Sequence, residues 1–298
     1  MTHKGAIAWE SPPKPPKLPR KLEDVLVLRE PIQGREQVMV MTASGKVYPV
    51  AMDAIPSSGN PTPVIQLLST TVQQKREPLT HFFLPPLAGD ERDLLVVTEQ
   101  GRVKRVAAAD LAEITNRGAV LAKLKPGDRP QQVQWVKPGQ ELAIATSGGR
   151  ILRCPINDEQ IPIMGRAAQG SQGTRLRKGE TIVGTVAIDP AQVQELLLIT
   201  QQGYGKRLPL KQLRRGHRGD VGIQALRFGR GYAQADCLLA IAPLRSALTK
   251  VAVLTSTERL LWINVADIPQ QGKEGLGDRL PGLSPDETLL QWVESISY

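Results

Sequence analysis

A short pattern occurs six times along this chain. It reads Thr, two residues, Gly, one residue, an aliphatic residue, one residue, then a basic residue, with a few substitutions. The copies span Thr2–Trp9, Thr42–Pro49, Thr98–Arg105, Thr146–Arg153, Thr200–Arg207 and Thr255–Trp262. In the last copy Glu258 stands in place of Gly. Successive threonines lie 40, 56, 48, 54 and 55 residues apart. Self-similarity at about 50 residues restricts the fold to propellers or arrays.

Apolar runs precede five of the threonines: Val38–Met41, Leu94–Val97, Leu142–Ala145, Leu196–Ile199 and Val251–Leu254. Runs of this length and composition, closed by a Gly turn, predict buried strands. The Gly supplies the positive φ of a tight hairpin. The outgoing strand reads as alternating, with Val47, Val103, Ile151 and Leu260 inward and their neighbours, many of them Lys or Arg, outward.

A recurring Ile-Pro-x-x-Gly segment follows (Ile55–Gly59, Ile161–Gly165, Ile268–Gly272), shortened to Leu213–Gly216 in the fifth repeat. Stretches around Gly173–Leu176 and Val221–Leu226 read as third strands, and Gly179–Ile188 and Asp286–Val293 as a turn with a fourth strand. Four short strands in each of six units predict an all-β fold, a six-bladed β-propeller of antiparallel sheets forming one domain over residues 1–298.

The approximate hairpins are 2–9, 38–49, 94–105, 142–153, 196–207 and 251–262. The first lacks an incoming strand, so its blade is expected to be incomplete or completed by another segment. Residues 10–22, with Pro12–Arg20 at their centre, read as a semi-rigid basic surface segment that cannot be a central strand. Residues 70–93 read as a second loop, holding His81 and Pro85-Pro86. Helix signals are confined to Val106–Glu113 and Pro190–Gln194.

The chain has 298 residues and a formal net charge of +9, which favours a polyanionic partner. Cys154 and Cys237 fit no metal or redox spacing, and a reducing cytoplasm is the simple inference. No apolar run nears 18 residues, so no membrane partner is expected. His3, His81 and His217 are scattered, and no phosphate-cradling Gly pattern or metal spacing is present, so no cofactor is expected. Asp128, Glu180 and Asp286 occupy matching positions before the fourth strand, which points to turn geometry rather than acid–base chemistry.

The basic residues are the remaining signal. The candidates are Arg102, Lys104, Arg105, Arg150 and Arg153 on the hairpins; Arg166, Arg175 and Arg177, with Lys178 beside them, downstream of the fourth; and Lys206, Arg207, Lys211, Arg214, Arg215 and Arg218 in the fifth repeat. Charges at matching places in successive blades would form a curved track along one rim. Such a track suits a phosphate backbone and predicts salt-sensitive binding of double-stranded DNA without sequence preference. With few aromatics interleaved, duplex is expected over single strands. The rival readings are a protein-interaction scaffold and a propeller enzyme with polar groups converging on its channel.

Two stretches resemble a known family. Leu196–Leu210 is very close to the fifth blade, and Met164–Leu176 is similar to the "MGR…GVRGIRL" stretch, of the C-terminal DNA-wrapping domain found in the A chain of DNA gyrase and in the matching chain of topoisomerase IV. The resemblance covers essentially the whole chain and is specific over residues 94–226. It implies a β-pinwheel, a propeller whose blades exchange strands, and a role in bending or wrapping duplex beside a type II topoisomerase cleavage core. That family's QRRGGKG-like wrapping motif follows the first hairpin, where this chain has Pro12–Arg20. The nearest match, Gln212–Gly219, reads as a blade loop of the fifth repeat. A gyrase-like and a topoisomerase IV-like role both stay open. The cleavage domain with its active-site Tyr is not expected within these 298 residues. Tyr48, Tyr204, Tyr232 and Tyr298 have no carboxylate cluster nearby in sequence, so this chain alone is not expected to cut DNA.

Overall fold

Every copy of the repeated pattern folds as the same turn, for a reason visible in its hydrogen bonds. The computed structural model describes residues 1–2, 4–9, 25, 34–57, 59–87, 89–228, 236–245 and 250–293. In each copy the fourth residue donates its amide to the Thr carbonyl at 2.9–3.0 Å. That residue has positive φ, from 59° at Glu258 to 83° at Gly101. In five copies the Thr hydroxyl then accepts the amide four residues on, from Ala6, Arg102, Arg150, Tyr204 and Arg259. Thr therefore closes the turn with its side chain while its β-branched body suits the strand end.

The turns join Gln37–Thr42 to Lys46–Ala51, Asp93–Thr98 to Arg102–Ala107, Glu141–Thr146 to Arg150–Pro155, Glu195–Thr200 to Tyr204–Pro209, and Lys250–Thr255 to Leu260–Asn264. A fourth strand lies antiparallel on the far side of each incoming strand: Leu79–Phe83, Pro130–Val136, Ile182–Ile188, Leu238–Leu244 and Leu289–Val293. In all five pairs the register shifts at the pattern Thr, which marks a bulge where the strand feeds the turn.

Third strands are only two residues long, and they leave home. Ala119–Val120, Ser171–Gln172, Ile223–Gln224 and Asp278–Arg279 each pair with the hairpin of the preceding repeat, in the registers Lys46↔Val120, Arg102↔Gln172, Arg150↔Gln224 and Gly205↔Asp278. Each repeat thus completes its neighbour's sheet. The result is four four-stranded sheets and one three-stranded sheet, the last built on Lys250–Thr255.

Five blades, not the expected six, are formed among the described residues. The Thr2 copy keeps its turn, but it contributes only Ala6–Ile7, paired with Thr62–Pro63. No incoming strand stands beside it among the described residues. The basic segment expected at residues 10–22 lies outside them. Val25 is fully buried and shares a cluster with Ala252 and Val293, which ties the first repeat to the last blade.

The apolar runs are continuous because each incoming strand is buried on both faces. One cluster joins Leu95 and Val97 of one blade to Leu142 and Ile144 of the next. Another joins Ala143 and Ala145 to Leu196 and Leu198, and a third joins Leu197 and Ile199 to Val251 and Val253. The expected alternation fails in the outgoing strand Arg102–Ala107, where Val103, Lys104, Arg105 and Val106 are all buried, and in Leu260–Asn264, where Leu260 is only half-buried. Residues 70–93 are not a plain loop either. They hold a short helix, Thr70–Lys75, and the fourth strand Leu79–Phe83. Of the two helical signals, only Ala108–Ala112 forms a helix; 190–194 is a turn.

Candidate nucleic-acid interface

The expected cations separate into two groups once their surroundings are known. Six of them work inside the protein. Arg105 donates to Asp93 at 2.7 Å, to the Ile161 carbonyl at 2.6 Å and to Asp158. Arg153 reaches Glu141 and the carbonyls of Leu210 and Leu213. Arg207 reaches Glu195 and, at 2.8 Å, the Ile268 carbonyl. These three are one device repeated. Each Arg pairs with the first residue of its own incoming strand and with the loop of the following repeat. Each also lies beside that loop in a parallel bridge, to Ile163, Arg215 and Gln270 respectively.

The residue before this Arg does similar work where it is Lys. Lys104 donates to the carbonyls of Gly165 and Arg166 at 3.0 and 2.5 Å. Lys206 donates to those of Gly272 and Gly275, both at 2.7 Å. Burial pushes both ammonium groups down to about 8. Arg150 lies 2 % exposed between Glu180 and the carbonyls of Arg175 and Val221. A buried cation already bonded to carbonyls or carboxylates presents no free face to a phosphate. Lys104, Arg105, Arg150 and Lys206 are therefore placed as inter-blade ties, and Arg153 and Arg207 are spent on internal partners.

The second group faces outward. Arg175, Arg177, Lys178, Lys211 and Arg214 are exposed and make no ion pair among the described residues. Arg215 is exposed but meets Glu141. Arg218 is half-buried, with one guanidinium nitrogen on the Gln172 carbonyl at 3.0 Å. Arg166 stands 3.7 Å from Glu113, and Arg102 is half-buried on its strand. Gln212–Gly219 is a blade loop: the Gly216 amide bonds the Arg153 carbonyl at 2.8 Å along the outside of the neighbouring hairpin.

The matching carboxylates are turn caps. Asp128 accepts the amides of Gln100 and Arg129, and Glu180 holds Arg150 and the Arg177 amide. In the last blade Glu287, rather than the expected Asp286, fills this role by bonding Arg259 and Thr257.

Among the exposed cations that the sequence reading did not name, Lys123 and Lys125 stand at a repeated place. After each third strand the chain crosses the hairpin Gly of the preceding repeat and drops one apolar side chain beside it: Leu124 at Gly45, Leu176 at Gly101, Phe228 at Gly149 and Leu283 at Gly203. Lys123 and Lys125 flank Leu124 as Arg175 and Arg177 flank Leu176, and both lysines are exposed. The signal was there in the parallel between Lys-Leu-Lys-Pro-Gly-Asp (123–128) and Arg-Leu-Arg-Lys-Gly-Glu (175–180).

A propeller whose sheets borrow a strand from the following repeat, with its unpaired cations on loops outside the sheets, is a β-pinwheel. The family described as "DNA gyrase C-terminal domain, beta-propeller" matches residues 92–129, 140–189 and 194–232. The chain is 36 % identical over 278 residues to the A chain of DNA topoisomerase 4 from Synechocystis sp., covering 88 % of this chain and 30 % of that protein. It is 25 % identical over 266 residues to the A chain of DNA gyrase from Staphylococcus aureus, covering 89 % and 29 %. It thus spans about three tenths of the length of these relatives. Among solved structures, the C-terminal domain of DNA topoisomerase IV superposes with a TM-score of 0.76 at 17 % identity, covering 87 % of this chain and 79 % of that one. The DNA gyrase A C-terminal domain superposes with 0.70 at 18 %, covering 88 % and 83 %. The chain belongs to the family of C-terminal β-propeller domains of DNA gyrase A and topoisomerase IV A.

Proposed function

We propose that this chain is a DNA-binding accessory domain that holds duplex without reading its sequence and bends or wraps it beside the cleavage core of a type II topoisomerase. The reading is carried by the outward cations Arg175, Arg177, Lys178, Lys211 and Arg214, which stand on loops outside the sheets of a gyrase-type pinwheel and have no ion-pair partner among the described residues. Flexible cations of this kind contact phosphates and release counterions, so affinity falls steeply with salt. Arg102, Arg166, Arg215 and Arg218 are counted with them as weaker contributors, being half-buried or already partnered. The inter-blade ties serve binding indirectly, by fixing the loops that carry these residues. The repeats act as one domain, and the bacterial cytoplasm, beside the chromosome, is its place of work. Cutting and ATP use belong to other parts of the enzyme.

The test is binding to linear duplexes of about 20 and 150 base pairs across a salt series, with topology read on relaxed circles after ligation. Salt-steep, length-dependent binding that shifts the topoisomers supports wrapping. Salt-steep binding with unshifted topoisomers supports bending or tethering, as expected of a topoisomerase IV-like role. No binding at low salt overturns the reading in favour of a protein scaffold.

A further inference from the structure

The four loops that cross the hairpin glycines form a graded series. In each, the apolar residue packs inward at its glycine. The residues that flank it in sequence are Lys123 and Lys125, Arg175 and Arg177, Arg227 and Gly229, and Gly282 and Ser284. The equivalence is structural as well as textual. Leu121, Gly173, Ala225 and Leu280 each donate an amide to the carbonyl of the hairpin Gly that the following apolar residue covers, at 2.7–2.9 Å. The positive charge therefore runs two, two, one, none. The single cation of the third loop, Arg227, already has a partner: it is ion-paired with Glu274, a residue of the sixth repeat. Both partners are well exposed, at 69 % and 59 %.

Resting on the DNA-binding reading above, we infer that Lys123, Lys125, Arg175 and Arg177 form one phosphate-binding arc over two adjacent blades, and that Glu274 ends this arc by holding Arg227. The repeats place two pairs of cations in the same register on neighbouring sheets. A duplex lying across one pair meets the second in the same orientation one blade further on. At the third blade it meets a guanidinium that Glu274 holds, and at the fourth Gly and Ser, which offer no charge. Counterion release is the driving term for such contacts, so the length of the arc sets the number of phosphates engaged. Glu274 limits this number from an exposed loop; its charge also acts on the buried Lys206, and the melting check on Glu274→Gln covers that effect.

The experiment uses the full chain and three variants, Lys123→Glu/Lys125→Glu, Arg175→Glu/Arg177→Glu and Glu274→Gln, each checked for native circular dichroism and melting. Affinity for duplexes of about 20 and 150 base pairs is measured over a salt series. Each charge-reversed pair is expected to lower the slope of log affinity against log salt by about 2, at roughly 0.9 per phosphate lost. Glu274→Gln is expected to raise that slope by about 1 on the long duplex and leave the short one unchanged. If the arginine pair matters and the lysine pair does not, the arc is overturned while DNA binding stands. If both pairs keep wild-type affinity, the DNA-binding reading of this surface falls with it. An unchanged slope in Glu274→Gln overturns its role as the end of the arc.

Discussion

Arg105 and Asp93 meet at 2.7 Å inside one blade, and the same guanidinium ties down the Ile161 carbonyl of the next repeat. Arg105 is 1 % exposed and Asp93 7 %. Removing the Arg leaves a buried carboxylate alone, which costs far more than the pair contributes. Arg105→Met is expected to lower stability by about 3–5 kcal/mol. Arg105→Met/Asp93→Leu should recover much of that loss. Urea midpoints of the wild type, both single variants and the double variant close the cycle; a double variant as unstable as Arg105→Met would show that the tie to Ile161 is the larger part.

Glu258 is the one hairpin copy that departs from Gly, and it holds φ at 59°. A left-handed conformation costs an L-residue about 1–2 kcal/mol. Glu258→Gly should therefore raise the melting temperature, with a gain of about 1 kcal/mol. The opposite change, Gly203→Ala, should be strongly destabilising. Its φ is +81° and an added Cβ would fall 2.1 Å from the Leu283 side chain.

Acid should act on the last blade through Glu287. A hydrogen bond from Arg259, followed by those from Thr255 and Thr257, holds its carboxyl well below the usual carboxylate range. A depressed native value means the unfolded chain binds the proton first. The stabilisation is thus complete above the unfolded value of about 4.3 and fades as pH falls below it. Urea midpoints from about pH 6 to pH 3 should fall more steeply in the wild type than in Glu287→Gln, which should start lower at neutral pH.

The buried lysines give a slope of the same sign in a different pH window, and here the cause is burial. Burial puts Lys104 and Lys206 at about 8, whereas an unfolded lysine titrates at about 10.4. Between these values the unfolded state carries more protons, so the contribution of these two groups to stability rises with pH. The expected outcome is a rising component in unfolding midpoints between about pH 8 and 10 that disappears in Lys104→Met/Lys206→Met. Equal pH slopes in the two proteins would contradict it.

Much of the architecture was legible because it is local. Thr and Gly at fixed spacing close a turn using only their own backbone and hydroxyl, so five hairpins lie within a residue or two of where the pattern puts them. The fourth strand at Leu79–Phe83 was hidden, since residues 70–93 carry Pro and a helix in place of the usual turn. The outward cations were only half legible. Lys104-Arg105 and Arg175-x-Arg177 look alike as text, yet the first pair is buried and the second exposed.

The sequence by itself determined the repeat, the turn chemistry, the apolar strands and the excess of positive charge, all of which depend on residues a few positions apart. Tertiary structure decided which cations remain for a ligand. Whether an Arg meets water or a carbonyl depends on a loop of the following repeat laying itself over that strand, as Ile161 does over Arg105 and Ile268 over Arg207. Strand exchange brings those loops into place, and no local pattern records that contact.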